Sequence, residues 1–359
     1  MQSIDNFEAR VMSEPRLFGY SLSQPRIGGL FRLVRHCNAI LALCAALALI
    51  GISVERLGAT QGPSSGEEAI AEFRIGYQKG GPLLILKSSG ALERRLASLQ
   101  VHVRWAEFPS GPPLLEALNA GALELGVAGN AATVFAQDAT DSQLVYVADE
   151  VPNARGEAIL VPKDSKLASL ADLRGKTVAF TRASNAHYLL IRALEKAHLG
   201  LNEIRQAGLS PIDARAAFES GSVDAWVIWD PFYADAQLNL GAKVLADGSG
   251  LVDDFVFYVS TRSVADKHPH LLQVVIDEIE RTEQWMQAHP DEAATQLSDA
   301  TGLPRNIWQT SISRHHYGIR PVDQRTIAAQ QDIADTFYAL RLLPAKEKVA
   351  NAVWRAAAK

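Results

Sequence analysis

The chain has 359 residues, of which 48% are hydrophobic and 21% are charged, and its formal net charge is −5. These values are typical of a soluble globular protein with one large or two ordinary domains, and they exclude a disordered chain or a protein with many membrane spans. The slight acidic excess and the lack of a basic run give no indication of nucleic-acid binding. An anionic ligand would therefore need a local binding site.

The N-terminal segment differs from the rest of the chain. Arg32 and Arg35 precede an uncharged stretch from Cys37 to Val54 that is rich in Ala and Leu, a pattern typical of a secretory signal peptide. An uncleaved membrane anchor and a buried helix are the alternatives, because the stretch is near the lower length limit of a transmembrane helix. We predict a signal peptide and leader over 1–59, export to the periplasm, and a linker over 60–72.

Both cysteines, Cys37 and Cys44, lie in this N-terminal segment. If export removes the segment, the mature chain has no cysteine, which excludes a thiol enzyme and a Cys-ligated metal site. The pair His315–His316 is adjacent and lacks the spacing of two ligands on one face. The sequence also has no Walker loop and no Gly-x-Gly-x-x-Gly. We therefore predict no metal and no cofactor.

After the linker, β and α patterns alternate along the chain. This order predicts parallel strands with helices on the faces of the sheet. The first run has strands at 73–77, 101–105, 123–127 and 144–147, and helices at 82–99, 112–120 and 131–137. The second run has strands at 158–161, 176–180 and 223–228, and helices at 186–197, 213–219 and 232–238.

A strand at 255–260 follows, and from Pro269 the chain is almost entirely helical. The simplest architecture is an α/β fold of two lobes. Lobe 1 comprises 73–158 and 256–359, and lobe 2 comprises 159–255. Two extended segments, near 158–161 and 256–260, would cross between the lobes, and the C-terminal helices would pack on lobe 1.

Candidate ligand contacts lie where strands end and helices begin, because ligands of open α/β folds bind there. Free backbone N–H groups at a helix start can hold an anion. The candidate side chains at these junctions are Tyr77, Gln78, Asn130, Glu150, Ser184, Asn185, His187, Trp229 and Asp230.

Several of these residues also have an ordinary structural interpretation. Ser184 and Asn130 suit helix N-caps, and Asp230 suits an N-cap before Pro231 at the first helical position. His187 could be a packed histidine on the surface. Trp226 and Trp229 lie three apart on a predicted strand, so at most one should face a cleft.

Five segments resemble one known family: RIGYQKG (74–80), WAEFPSGP (105–112), LLEALNAG (114–121), DARAAF (213–218) and VDAWVIWDP (223–231). The chain resembles the periplasmic aliphatic-sulfonate-binding proteins of bacterial sulfonate ABC importers, which are related to nitrate- and taurine-binding proteins. The resemblance spans roughly residues 73 to 345. Two positions depart from the family: Asn130 stands where some members have Asp, and 183–187 differs from a common Ser-Ser-Ser-His.

The resemblance implies a two-lobed periplasmic-binding-protein fold of type II that closes around a sulfonate. It also implies a monomer that delivers its ligand to a membrane permease with a cytoplasmic ATPase, without catalysis. A nitrate-, taurine- or aromatic-sulfonate-binding protein is an alternative. A further alternative is an enzyme of the same fold, the pyrimidine synthase of thiamine biosynthesis, which is associated with a cysteine-rich motif.

A sulfonate is ionised at all physiological pH values, so its pocket should offer hydrogen-bond donors. Gln78, Asn130, Ser184 and Asn185 could supply them, and we expect the segment from Ser184 to His187 to hold the head group. A cationic His187 would make the affinity fall as pH rises.

The organic tail of the ligand needs different side chains. Trp229, or else Tyr77, could cover it. A carboxylate such as Glu150 or Asp230 would repel a sulfonate in contact, yet it would favour an ammonium group at the tail end.

Overall fold

The computed structural model describes residues 70–355. The predicted signal peptide and leader (1–59) and most of the predicted linker lie outside these residues. The strands are β1 (Glu72–Gln78), β2 (His102–Phe108), β3 (Leu125–Gly129), β4 (Leu144–Glu150), β5 (Glu157–Val161), β6 (Thr177–Phe180), β7 (Arg205–Gly208), β8 (Ala225–Trp229), β9 (Lys243–Asp247), β10 (Val256–Thr261) and β11 (Ile319–Arg320).

The helices alternate with the strands up to β10 and then dominate the chain. They are α1 (Pro82–Ser89), α2 (Ala91–Ala97), α3 (Gly111–Asn119), α4 (Asn130–Gln137), α5 (Asn185–Lys196), α6 (Pro211–Glu219), α7 (Phe232–Asn239), α8 (Arg262–Lys267), α9 (Pro269–Ala288), α10 (Pro290–Thr301), α11 (Arg305–Ile312) and α12 (Gln324–Ala339). Among the described residues, no helix combines the length and the apolar character needed to cross a membrane.

The strands form two sheets, which confirms the predicted two-lobed α/β architecture. The first sheet has the order β11-β4-β10-β3-β1-β2, and the second has the order β7-β6-β8-β5-β9. Strands β1, β2 and β3 are parallel, as are β6, β7 and β8. Each sheet is nevertheless mixed, because β10 pairs antiparallel with β3 and β4, and β5 pairs antiparallel with β8 and β9.

The two crossings between the sheets lie beside the predicted positions. Residues 158–161 and 256–260 were expected to cross, but they belong to β5 and β10, which are fully paired within the sheets. The chain instead crosses at 151–156 and returns at 248–255. An apolar run needs a paired, buried position, which explains why both runs lie inside a sheet. The lobe boundaries at 158/159 and 255/256 stay a prediction.

Three local features also differ from the sequence patterns. The expected helix at 82–99 divides at Gly90, whose positive φ of 63° ends α1 and precedes α2. Strands β7 and β9 were not predicted, because both are edge strands with no fully buried side chain and no apolar alternation.

Apolar clusters cover both faces of the first sheet, and the C-terminal helices complete them. Leu272, Val275 and Ile279 of α9 join the cluster that contains Phe73 and Ile75 of β1. On the other face, residues of α12 join the cluster around α3 and α4. The helical C-terminus therefore packs on the first lobe, as expected.

Gly126 of β3 provides a test of this packing. A Cβ atom at Gly126 would lie 2.4 Å from Cδ2 of Leu114 on α3. Because Leu114 is fully buried, we expect Gly126→Ala to lower the free energy of unfolding by about 1–3 kcal/mol, measured by urea denaturation.

The matched control is the same substitution in a Leu114→Ala background. There the new methyl group has space, so its cost should be much smaller or reversed. An equal cost in both backgrounds would contradict the proposed close contact.

Candidate functional site

A cavity of about 180 Å³ lies between the two lobes. Within residues 70–355, five helices begin at its wall: α1 after Gly81, α3 at Gly111, α4 after Gly129, α5 after Ser184 and α7 after Pro231. The N–H groups of a first helical turn have no acceptor within their helix, and the helix dipole is positive at this end. The cavity is therefore suited to an anionic group.

Much of the remaining wall is apolar. Trp229, Val256, Leu297, Trp308 and Ile312 line it. Gly80, which has a φ of 122°, contacts Trp308 so closely that a Cβ atom would lie 2.7 Å from its ring. The cavity can thus hold a ligand with both an anionic and an apolar part.

The two tryptophans of β8 face opposite sides of the second sheet, as their spacing predicts. Trp229 lines the cavity. Trp226 is fully buried on the other side, 5.8 Å from Phe218 between ring centroids.

Three predicted donors line the cavity, but their side chains already make hydrogen bonds within the protein. Gln78 Nε2 donates to the carbonyl of Val127 at 3.1 Å, and Ser184 Oγ donates to the carbonyl of Thr181 at 2.7 Å. Asn185 Nδ2 donates to Oδ1 of Asp254. At the start of α5, the backbone N–H groups and the second amide hydrogen of Asn185 are therefore the donors left for a ligand.

Tyr77 and Asn130 do not line this cavity, contrary to expectation. Tyr77 precedes Gln78 on β1, and successive strand residues point to opposite faces. Its hydroxyl donates to Glu107 at 3.2 Å, on the opposite side of the sheet. Asn130 is the first residue of α4 and is buried, and Gln330 donates to its carbonyl at 2.7 Å.

His187 also lies away from the cavity, so it does not provide the expected cationic contact. Its ring stacks on Phe180 with centroids 4.8 Å apart. The N–H of Ala183 donates to Nδ1 at 3.3 Å, which requires that this nitrogen carries no proton. Burial lowers the pKa of His187 to about 4. The imidazole is therefore neutral and structural at physiological pH.

Asp230 lines the cavity, but it is not the residue directly before the helix, as the sequence predicts. Helix α7 begins at Phe232, the Asp230–Pro231 peptide bond is cis, and Pro231 precedes the helix. The Asp230 side chain accepts a hydrogen bond from the N–H of Ala234 at 3.0 Å. Arg314 Nη1 donates to both carboxylate oxygens, at 2.9 and 3.0 Å. Burial raises the pKa of Asp230, and Arg314 opposes this shift.

Arg314 links the C-terminal helices to the second lobe. It follows α11, and its guanidinium lies 3.7 Å from the centroid of the Tyr233 ring. It also donates to Gln237 of α7. This contact was not predicted, because Arg314 lies in the helical C-terminal part, far from any strand–helix junction.

Several residues that line the cavity were also missed by the sequence analysis. Asp254 precedes β10, Tyr258 lies within it, and Trp308, Ser311, His315 and Tyr317 follow in the C-terminal part. His315 was noted only as one of two adjacent histidines. Within residues 70–355, no group of three or more His, Cys, Asp or Glu side chains is arranged to hold a metal ion.

The depressed pKa of His187 predicts a pH dependence of stability. Between about pH 6.5 and 4 the unfolded chain binds a proton at this residue and the folded chain does not. The free energy of unfolding therefore falls as pH falls through this window. At 1.36 kcal/mol per pKa unit, the free energy of unfolding lost over this pH window is on the order of 3 kcal/mol.

The His187→Leu variant has no imidazole to titrate at this position, so its free energy of unfolding lacks this pH dependence. The difference in unfolding free energy between the native protein and the variant should therefore shift against the native protein on acidification, measured by denaturation at several pH values. A difference that stays constant from pH 7 to 4 would contradict a buried neutral imidazole.

Comparisons with known proteins agree with this geometry. The family described as NMT1/THI5 like matches residues 103–293, just over half of the chain. An Escherichia coli (strain K12) protein named as an aliphatic sulfonates-binding protein is 39% identical over 313 residues, which cover 87% of this chain and 95% of that protein.

Two solved structures are also similar over most of the chain. The alkanesulfonate-binding protein SsuA from Xanthomonas axonopodis pv. citri, bound to MOPS, has a TM-score of 0.76 and 40% identity and covers 80% of this chain and 100% of its own. The periplasmic aliphatic sulphonate binding protein SsuA from Escherichia coli has a TM-score of 0.73 and 39% identity, with 79% and 92% covered. The chain therefore belongs to the NMT1/THI5-like family, in the group of the aliphatic-sulfonate-binding proteins.

Proposed function

We propose that this protein is the substrate-binding component of a bacterial ABC importer. It captures aliphatic sulfonates in the periplasm and delivers them to a membrane permease that works with a cytoplasmic ATPase. The observation that carries the proposal is the cavity between the lobes, where helix starts from both lobes meet an apolar wall. Membership of the sulfonate-binding group supports it.

The two parts of the cavity match the two parts of an aliphatic sulfonate. The head group accepts hydrogen bonds and never donates them, so neutral N–H groups at the starts of α1 and α5 suit it. The second amide hydrogen of Gln78 adds a donor. Trp229 and Trp308 cover the tail. Nitrate has no tail to fill this wall, which favours a sulfonate.

The proposed role is binding without catalysis. Residues 70–355 contain no cysteine, so this part of the chain supplies no thiol of the kind associated with the thiamine-related enzyme. The relatives described above are named as binding proteins. We further propose that the protein acts as a monomer.

Export is part of the proposal, since a relative is named as periplasmic and Arg32 and Arg35 precede an apolar stretch. We expect the protein in the periplasm to begin between about residue 52 and residue 68, which intact-mass spectrometry would measure. Residues 1–50 found intact on a soluble cytoplasmic form would contradict it.

Binding is tested by calorimetric titration of the mature protein with propane-1-sulfonate, sulfate and nitrate. We expect one propane-1-sulfonate per chain. Burying three carbons at about 0.8 kcal/mol each should make it bind on the order of 50-fold more tightly than sulfate. A tighter complex with sulfate or nitrate would overturn the assignment to sulfonates.

Trp229→Ala shows whether the tail contacts this wall. It should reduce the affinity for propane-1-sulfonate far more than that for sulfate. Trp105→Ala is the control, because Trp105 lies on β2 outside the cavity. Equal effects of the two variants would argue against Trp229 as the tail contact.

A further inference from the structure

Glu150, at the end of β4, presents one free carboxylate oxygen to the cavity. Its side chain lines the cavity, although the residue is only 4% exposed. Tyr258 Oη donates to Oε1 at 2.8 Å. Oε2 makes no hydrogen bond within residues 70–355. A carboxylate buried with an unbonded oxygen is costly unless something else satisfies it.

Counting protons around Tyr258 shows that only one of its two carboxyl neighbours can accept a hydrogen bond from it. The Tyr258 hydroxyl lies 2.8 Å from Oε1 of Glu150 and 3.1 Å from Oε1 of Glu283. It has one proton, so one of the two carboxyl groups must bring its own. Glu283 is fully buried, and burial raises its pKa to about 9. Glu283 therefore donates to Tyr258, and Tyr258 donates to an ionised Glu150.

The imidazole nearest to Glu150 does not neutralise this charge. His315 Nε2 lies 3.6 Å from Oε2 of Glu150. The other ring nitrogen, Nδ1, lies 2.7 Å from Nδ2 of Asn153. An amide NH₂ group can only donate, so Nδ1 is the acceptor in this contact, and Nε2 is too far from Oε2 for a normal hydrogen bond.

The nearby arginines are paired elsewhere. Arg320 contacts the backbone carbonyl of Glu150 at 3.2 Å, but its charge pairs with Asp149. Arg314 pairs with Asp230. Lys79 lines the cavity with an exposed side chain that can stay in water.

The remaining titratable groups around the cavity add no positive charge. Asp254 lines it and accepts from Asn185, and burial raises its pKa to about 7. Tyr317 also lines it, and burial together with Glu150 raises its pKa. Glu150 thus remains the ionised, unpaired group on this wall.

We propose that Glu150 is a cation subsite, which selects sulfonates that carry an ammonium group at the other end of a short chain. The inference rests on the proposed function, because it assigns the head group to the helix starts and the far end of the ligand to Glu150. The ligand class is then the aminoalkanesulfonates, with primary or alkylated amines. The ammonium would donate to Oε2 of Glu150 and supply the missing charge.

The test compares two ligands of equal size, taurine and propane-1-sulfonate. Taurine has an ammonium group where propane-1-sulfonate has its terminal methyl group. Both are titrated calorimetrically into the native mature protein. We expect taurine to bind at least about 10-fold more tightly, as a charge-assisted hydrogen bond would give. In Glu150→Gln this preference should disappear, through loss of taurine affinity with propane-1-sulfonate affinity kept or improved.

Glu107→Gln is the matched control. It also removes a glutamate that accepts from a tyrosine hydroxyl, but on the exposed strand β2 away from the cavity. Both affinities should stay at the native values.

The possible outcomes separate the two proposals. Equal affinities for the two ligands in the native protein would overturn the cation subsite while the sulfonate assignment stands, even if Glu150→Gln fails to fold. A taurine preference that survives in a folded Glu150→Gln would also overturn it. Failure of both ligands to bind would overturn the proposed function.

Discussion

Helix starts, each the positive end of a helix dipole, are the feature around which the two lobes are arranged. A helix can point this end into water, but here five helices, from both sheets, turn it toward one cavity. That orientation follows from the parallel strands, which place every strand end and following helix start on the same edge of a sheet. The crossings at 151–156 and 248–255 then bring the two edges together. A cleft shared by the starts of these helices is the result.

Burial regulates the charge of the carboxyl groups in and behind the cavity wall. Asp254 and Glu283 have raised pKa values of about 7 and about 9 because desolvation disfavours their charged forms. The negative charge of Asp230 is instead compensated by the guanidinium of Arg314. An anion can therefore approach neutral dipoles without meeting many full negative charges. The exception is Glu150, whose position argues for a ligand of mixed charge rather than a simple anion.

The fold could be predicted from the sequence because its strands and helices are strongly patterned, whereas the site could be predicted only in part. Gln78, Glu150, Ser184, Asn185, Trp229 and Asp230 all line the cavity, since each lies at or shortly after a strand end. Tyr77 points to the opposite face of β1, and His187 lies inside α5 among aromatic rings. His315 reaches the cavity, and Arg314 reaches Asp230 at its wall, through the packing of α11, which no junction pattern encodes.

The C-terminal helices thus do more than cover the first sheet. Helix α11 and the residues after it supply Trp308 and His315 to the cavity, and Arg314 to Asp230 of the second lobe. Removing one partner from a buried ion pair costs about 3–5 kcal/mol, because the other charge is left desolvated. On the other side, Gly129 approaches Asn185 so closely that a Cβ atom would lie 2.0 Å from Oδ1 of its side chain. These contacts form only while the two lobes are close together. A ligand that bridges α1 and α5 therefore stabilises the same arrangement of the lobes.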